Sequence, residues 1–371
     1  MKLFRILVLS LSVVLLITFS GLLLAGKDGR RSLYRALGNL AEVIHLVHEN
    51  YVDPVDLDRL EKGFESGMLE SLDPACALLS EDEPSGLDDV PPFGIVLSRR
   101  LGSAAVRQVL PGSPAEAAGL QKWEIVERIG DDKTRDLPLW EIRARLRAAE
   151  KAGKPLQLSV MDQEVENRRS VELTPKEWTL KAVSVRQEKG VAVMTVSALP
   201  KGAAVQLAAL LRQHSHEPIV LDLRPLVWGV EDEAIAVADL FAKDGELGRW
   251  KGQRAGEKTF TADAASVASP PVTVVDHGTW GVGEVLTAAL SREGASLVGE
   301  ETAGHALHLQ VVRQQGMRLV LPVGVWLRAD GKPLDGSGIE PGEKVEGSDE
   351  GDPPLERAIE LAVTSYGRAA A

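Results

Sequence analysis

The sequence is poor in cysteine, in aromatic residues and in positive charge. Its single cysteine, Cys76, excludes an intramolecular disulfide bond and a cysteine-rich zinc site. The 42 basic residues are outnumbered by 54 acidic ones, which gives a net charge of −12. Because surfaces that bind nucleic acid are usually basic, this balance argues against DNA or RNA as the main partner. The 371 residues are 44% hydrophobic and only 4% aromatic, a composition that excludes wholesale disorder and predicts two or three compact domains.

A long apolar run stands at the amino terminus. Lys2 and Arg5 precede the uncharged stretch Ile6–Gly26, and at about 1.5 Å per residue a helix of this length would span a bilayer core of about 30 Å. Residues 1–26 are therefore predicted to be a membrane anchor, with a cleaved signal peptide as the alternative. Basic residues flank both ends of the run and do not set its orientation. We expect a membrane-anchored protein on the extracytoplasmic, periplasmic side.

Hydrophobic periodicity predicts helices first and a mixed pattern later. Apolar residues at helical spacing predict a helix that ends near Asn50 and a second one over Leu57–Leu72. The stretch Ser80–Asp89 is acidic and carries Pro84 and Gly86, so it is predicted to be a linker. Strands that alternate with helices in the remaining chain indicate an α/β layered domain with parallel pairing. Strands are predicted at 106–110, 123–129, 156–161, 169–173, 182–196 (a hairpin), 219–223, 272–275, 296–298 and 319–325, and helices at 115–120, 139–146, 203–211, 234–241, 284–290 and 355–363.

Several motifs follow one another along most of the chain. They are ENYVDPVDLDRLEKGFESGMLESLDP (49–74), VLPGSPAEAAGL (109–120), IVLDLR (219–224), VTVVDHGTWGVGEVLTAAL (272–290), LVGEETAG (297–304) and GSGIEP (336–341). In this order the chain resembles the carboxyl-terminal processing peptidases, also called tail-specific proteases. The resemblance covers nearly everything after the predicted anchor. It implies an α/β fold in which a PDZ domain is inserted before a crotonase/ClpP-like tail-specific-protease domain.

Motif order and composition together divide the chain into five parts. Residues 1–26 are the anchor or signal peptide, and residues 27–89 are a helical segment followed by the acidic linker. The resemblance implies a PDZ domain over residues 90–176 and a tail-specific-protease-like α/β domain over residues 177–345. A second acidic linker and a final helix are expected over residues 346–371.

The resemblance also implies which residues occupy the catalytic positions. Members of the family use a Ser-Lys dyad, in which a deprotonated Lys takes the proton of the Ser hydroxyl and backbone amides hold the oxyanion. The nucleophile is the middle serine of a Gly-Ser-Ala-Ser-Ala-Ser-Glu motif, which corresponds here to Gly278–Glu284, so Gly281 takes its place. The base follows a Gly-Glu-x-Thr-x-Gly stretch, which is Gly299–Gly304 here and is followed by His305. Both members of the dyad are therefore predicted to be replaced.

The oxyanion region departs from the family pattern as well. Where the family has Leu-Arg-Asn-x-Pro-Gly-Gly, this chain has LRPLVWG over 223–229, so Trp228 replaces the first glycine of the pair beside Gly229. A large ring stands where the backbone is expected to approach substrate. Trp228 and Trp280 are either ordinary core residues or rings that fill space vacated by the lost site, and the sequence leaves both possibilities open.

Other side chains near these motifs offer weaker candidates. Thr279 could act as a nucleophile, but it lies two residues from the predicted position, and a misplacement of about 1 Å already reduces a rate about 10²-fold. His277, His305 and His308 could suggest a metal site, yet no cysteine or carboxylate pattern accompanies them, so we expect polar residues that line a cleft. No metal and no cofactor are predicted.

A possible peptide groove lies in the predicted PDZ domain. Such domains add an extended peptide as a strand, and backbone amides of one loop capture its terminal carboxylate. The resemblance places that loop and strand at Phe93, Gly94, Ile95, Val96 and Leu97, one glycine shorter than the family's Phe-Gly-Gly-Ile-Gly-Ile. The expected ligands are protein or peptide C-termini.

The sequence favours a non-catalytic member of the peptidase family that binds protein tails or a partner, for example an active paralogue. An active serine-type endopeptidase with a rearranged site is the first alternative. A membrane-tethered structural scaffold without a peptide groove is the second.

Overall fold

The computed structural model describes residues 27–81, 83–162, 164–263, 266–314, 316–348 and 350–370. The predicted anchor, residues 1–26, lies outside these ranges. None of the helices within them is both long and apolar enough to cross a membrane. The chain divides into two compact units, and the division falls between Glu65 and Ser66.

The elements are numbered here in chain order. The helices are α1 (Lys27–Asn50), α2 (Leu57–Leu72), α3 (Pro114–Ala117), α4 (Leu139–Lys151), α5 (Ala203–Gln213), α6 (Glu231–Asp239), α7 (Val282–Arg292) and α8 (Pro353–Ala370). The strands are β1 (Ala77–Leu79), β2 (Ile95–Arg100), β3 (Ser103–Val109), β4 (Ile125–Ile129), β5 (Asp132–Lys133), β6 (Leu156–Met161), β7 (Arg168–Leu173), β8 (Val183–Glu188), β9 (Val191–Val196), β10 (Ile219–Asp222), β11 (Glu246–Gly252), β12 (Gly256–Thr261), β13 (Val272–Val275), β14 (Ser296–Gly299), β15 (Leu307–Gln314), β16 (Met317–Leu327) and β17 (Glu343–Lys344).

A six-stranded sheet lies at the centre of the second unit. Its order is β17-β14-β13-β10-β9-β8, and the pairs between β9 and β17 are parallel. The parallel pairing predicted from the alternation of strands and helices is thus confirmed. Apolar residues of α5, α6 and α7 fill one face of the sheet, while Leu355, Ile359 and Ala362 of α8 pack against valines on the other. Because both faces are covered, the inner strands β9, β10, β13 and β14 are largely apolar and buried, whereas the edge strand β8 alternates.

A second sheet extends this core. Its order is β1-β16-β11-β12, with β15 also paired to β16. Trp326 of β16 is 1% exposed and joins the main core, and the short strand β1 pairs with β16 through Ala77–Leu79. Strands β11, β12 and β15 were absent from the sequence prediction.

A small module, residues 92–173, forms a third, antiparallel sheet. Its order is β2-β3-β4-β6-β7, and helix α4 supplies Leu139, Ile142 and Leu146 to its core. These three side chains recur at helical spacing, as the sequence predicted. Strand β2 lies at the edge of the described sheet and pairs there with β3 only.

Candidate functional site

The turn between β13 and α7 presents the predicted nucleophile position, Gly281, at the start of the helix. Gly281 has φ 57° and ψ −114°. Its N–H donates to the carbonyl of His305 at 3.1 Å, and its carbonyl accepts from Glu284 and Val285. A sharp strand-to-helix turn of this kind exposes the nucleophile in other hydrolases, where the residue at the bend is strained. The positive φ of Gly281 is one that glycine adopts freely and that a residue with a side chain would adopt only at a cost in strain.

His305 lies directly beside this turn. Its ring stacks on the indole of Trp280, with ring centroids 4.5 Å apart. Its Nδ1 is 3.5 Å from Oδ1 of Asp335, and its Nε2 is 4.0 Å from Oδ2 of Asp73. Burial raises the pKa of the Asp335 carboxyl, and the nearby His305 opposes that rise. The predicted base position thus faces carboxylates rather than a hydroxyl group.

Glu284 fixes the relative position of the two motifs. Its buried carboxylate accepts hydrogen bonds from the Thr302 hydroxyl at 2.6 Å and from the N–H groups of Gly304 and His305, both at 2.7 Å. Burial raises the pKa of Glu284, whereas the bonds from Thr302, His305 and Gly304 lower it. In the sequence, Glu284 served only to align the segment Gly278–Glu284 with the family motif. In the structure, its carboxylate holds residues 302–305 against α7.

The Thr279 hydroxyl is engaged in the backbone of the turn. Thr279 is fully buried; its Oγ1 donates to the Leu223 carbonyl at 3.1 Å and accepts from the Asp276 N–H at 3.3 Å. A buried hydroxyl that both donates to and accepts from the backbone is typical of a structural threonine.

Trp228 packs between the small module and the central sheet. It is 8% exposed and forms a cluster with Leu110 and Ala198, against which Val96 and Trp178 also pack. Its Nε1 is buried and, among the described residues, has no hydrogen-bond partner. The adjacent Gly229 has no room for a side chain, since a Cβ there would lie 2.5 Å from Cβ of Leu199. The sequence left open whether Trp228 and Trp280 are core residues or rings that fill a vacated site. The burial of Trp228 fits a core residue. Trp280 is half-buried and stacks on His305, so it lies at the site itself.

The remaining histidines do not converge with His305 on a metal. His277 is exposed, and its carbonyl accepts from Nη2 of Arg107 at 3.0 Å. His308 stacks on Trp250 at 4.1 Å and its Nδ1 lies 2.7 Å from Oε2 of Glu231. Within the described ranges, no three His, Cys, Asp or Glu side chains are grouped so that they could hold a metal ion.

One large cleft connects these positions with the small module. Its volume is about 560 Å³, and its lining includes Trp228, Trp280, Gly281, His305 and His308. It continues along β2 and the start of α4, where Val96, Leu97 and Leu139 line it. The cleft has the dimensions and the largely apolar wall of a binding site for a peptide or a small ligand.

The loop before β2 is closed by internal hydrogen bonds. The N–H of Phe93 donates to Oε1 of Glu150 at 2.8 Å, that of Gly94 to the Pro91 carbonyl at 2.9 Å, and that of Ile95 to the Pro92 carbonyl. Ile95 is 2% exposed and points into the core of the small module. The amides predicted to capture a ligand carboxylate are therefore already paired, one of them with a carboxylate of the chain itself.

Sequence reasoning did not find Asp73, Asp335, Glu150 or Arg107. They are separated by more than ten to about two hundred residues from the groups that they contact. Asp73 lies in the motif over 49–74, but that motif assigns it no role, and the other three lie outside the quoted motifs. Arg107, whose Nη2 binds the turn at His277, also lies over the ring of Trp123 at 4.5 Å.

Comparison with known proteins agrees with this geometry. The family model described as Peptidase family S41 matches residues 190–345. The "Probable CtpA-like serine protease" of Staphylococcus aureus (strain COL) is 24% identical over 321 residues, which cover 82% of this chain and 64% of that protein. The "Carboxy-terminal processing protease CtpA" of Bacillus subtilis (strain 168) is 24% identical over 317 residues, 81% of this chain and 67% of that protein. The solved structure of the photosystem II D1 C-terminal processing protease superposes with a TM-score of 0.63 at 19% identity, over 81% of this chain and 85% of that one.

The fold is thus a mixed α/β fold similar to that of the S41 C-terminal processing proteases. The resemblance to the carboxyl-terminal processing peptidases that the motifs indicated is confirmed, and the matching family model covers 156 of the 371 residues. The chain spans 64% of the length of the S. aureus relative, so the activity of that whole protein does not transfer to it directly.

The two glycines of the site are expected to respond differently to alanine. A Cβ on Gly281 would have its nearest neighbour, the Val227 carbonyl oxygen, at 3.5 Å, so Gly281→Ala meets backbone strain but no overlap. We expect it to lower the free energy of unfolding by about 1–3 kcal/mol. Gly229→Ala collides with Leu199 and should destabilise more. Urea denaturation followed by circular dichroism measures both, and an equal or larger loss for Gly281→Ala would contradict this account of the turn.

Proposed function

We propose that this protein is a non-catalytic member of the carboxyl-terminal processing peptidase family, which binds peptide segments without cleaving them. The observation that carries the proposal is Gly281: it lies at the start of α7, at the position that the family resemblance assigns to the nucleophile, and glycine has no side chain to act as one. The surroundings of His305 support it, since two carboxylates flank the ring. Thr279 offers no replacement, because its hydroxyl is bound to the backbone.

The small module is proposed to be a PDZ domain and the binding element. Its antiparallel sheet, the single pairing of β2 and the helix α4 beside it are the features that such domains use to add a peptide strand. The cleft extends from this strand to Gly281. An active paralogue is one partner that such a groove could serve, and the apolar run at residues 6–26 supports a membrane-anchored, extracytoplasmic setting.

The purified chain is expected not to cleave an unfolded protein substrate and not to be labelled by a fluorophosphonate. Loss of members of a catalytic unit lowers the rate by about 10³- to 10⁶-fold. The measurement is covalent labelling followed by intact mass, beside a substrate-cleavage assay, with Thr279→Ala as the matched variant. Labelling of the wild-type chain that disappears in Thr279→Ala would establish the rearranged serine-type enzyme instead, with threonine as its nucleophile.

A further inference from the structure

The groove between β2 and α4 has a basic wall. On the helix, Trp140, Arg143, Ala144 and Arg147 line one narrow cavity together with Ile95–Leu97 of the strand. Burial lowers the pKa of the Arg143 guanidinium, Arg147 adds to this effect, and Glu83 opposes it. Arg145, which lies midway between Arg143 and Arg147 in the same helix, is instead paired with Asp132 and Glu141 outside this cavity. Two arginines therefore face a groove that an extended peptide would enter.

An acidic segment of the chain itself lies across this groove. This acidic strap, residues 80–81 and 83–89, contributes Glu83–Gly86 to the same cavity, whose volume is about 80 Å³. Leu87 and Trp140 both pack against the small cluster of Ala77, Leu79 and Val320, and Oδ2 of Asp89 lies 3.7 Å from Nη1 of Arg147. Gly86–Asp88 also line the large cleft that leads to Gly281. The strap therefore stands at the junction of the groove and the cleft.

The start of the strap is held by several hydrogen bonds, whereas its end is held by exposed ion pairs. Nη1 of Arg318 lies 2.6–2.8 Å from the carbonyl oxygens of Ser80, Glu81 and Glu83. Further along, Asp88 meets Lys201 at 3.4 Å and Asp89 meets Arg147 at 3.7 Å, and both aspartates are more than half exposed. Exposed ion pairs of this kind contribute little, so a competing acidic chain could displace this part of the strap.

The loop before β2 points to the same ligand chemistry. Its three amides are paired internally, and Glu150 supplies a carboxylate to Phe93. A free C-terminus consequently has no vacant amide there, whereas acidic side chains find Arg143 and Arg147. We propose that the groove binds extended acidic peptide segments through Arg143 and Arg147, and that the acidic strap is its built-in competitor. This inference rests on the proposed function, because it names the ligand class of the proposed groove.

The contact of the strap with the arginines can be tested without any ligand. An Asp-N endoproteinase cuts the Leu87–Asp88 bond only when the strap leaves the groove. In the full chain, Arg143→Gln with Arg147→Gln should raise the rate of this cleavage about two- to fivefold over wild type, the range expected for the loss of exposed ion pairs. Arg145→Gln, on the same helix, should leave it unchanged. Equal cleavage rates in all three proteins would overturn the inference.

The ligand class is tested by fluorescence anisotropy with amidated, labelled peptides. The probes are SEDEPSGLDD and its neutral counterpart SQNQPSGLNN, together with the neutral peptide bearing a free C-terminus. The full chain carrying Glu83→Gln, Asp88→Asn and Asp89→Asn should bind the acidic probe at least tenfold tighter than wild type does. Adding Arg143→Gln and Arg147→Gln should remove that gain, while adding Arg145→Gln should preserve it.

The outcomes separate the two proposals. Equal affinity for the acidic and neutral probes, or tighter binding of the free C-terminus, would overturn the acidic specificity while leaving a peptide groove in place. If no probe binds any variant although cleavage at Leu87–Asp88 responds to the arginines, the proposed peptide-binding function is rejected and the intramolecular contact of the strap is upheld.

Discussion

Restoring the family's dyad by Gly281→Ser and His305→Lys is expected to leave covalent labelling undetectable. The reason is electrostatic, because the Asp335 and Asp73 carboxylates lie 3.5 and 4.0 Å from the nitrogens of the His305 ring. An ammonium group at this place would gain two carboxylate partners. A nearby opposite charge shifts a pKa by about 1–3 units. A lysine whose pKa is raised in this way stays protonated at neutral pH and cannot take the proton of a serine.

Neutralising both carboxylates should change that result. Adding Asp73→Asn and Asp335→Asn to the double variant removes both carboxylate partners of the introduced lysine. Each carboxylate is expected to lower the deprotonated fraction of that lysine by about 10- to 10³-fold, so its removal should restore the base. We expect the initial rate of labelling by an activated ester to rise by at least tenfold and its pH midpoint to fall. The Asp73→Asn and Asp335→Asn pair without the dyad is the control. Rapid labelling of the double variant alone would show that the carboxylates do not matter.

Most of what could be predicted about the fold came from the order of the motifs and from the local apolar patterns within them. The parallel strands β10, β13 and β14 are short apolar runs, and the helices that follow β10 and β13 begin within three residues of the predicted starts. Such local patterns are visible in a sequence because burial on both faces leaves few polar residues in a strand. Strand β11, ELGRWKG, is rich in charge and glycine, and its place is set by pairing with β16 some 75 residues away, which no local pattern records.

For the candidate site, the sequence predicted the two motif positions but not the side chains around them. Gly281 and His305 come from two motifs, and the structure joins them by a hydrogen bond between their backbones at 3.1 Å. Asp73 and Asp335 reach His305 from two distant segments, so their effect on its chemistry exists only in the folded chain.

Trp228→Ala is expected to be among the most destabilising single substitutions in the chain. The ring is buried against Leu110 of the small module and Ala198 of the larger domain, so its loss leaves a cavity between them. Replacing a buried tryptophan by alanine lowers the free energy of unfolding by about 3–5 kcal/mol. Urea denaturation followed by circular dichroism measures this loss. Trp280→Ala, which removes a half-buried ring, should cost clearly less.

The matched variant Trp228→Phe separates packing from hydrogen bonding. Nε1 of Trp228 has no partner among the described residues, so phenylalanine gives up no hydrogen bond and keeps most of the buried ring. We expect it to retain most of the stability that Trp228→Ala loses, because an unpaired buried N–H is itself unfavourable. The opposite interpretation, in which the ring blocks a vacated oxyanion site, predicts another pattern. Trp228→Ala would then fold as stably as wild type and would raise labelling in the variant with the restored dyad. Such a result would assign Trp228 to the active site instead of the core.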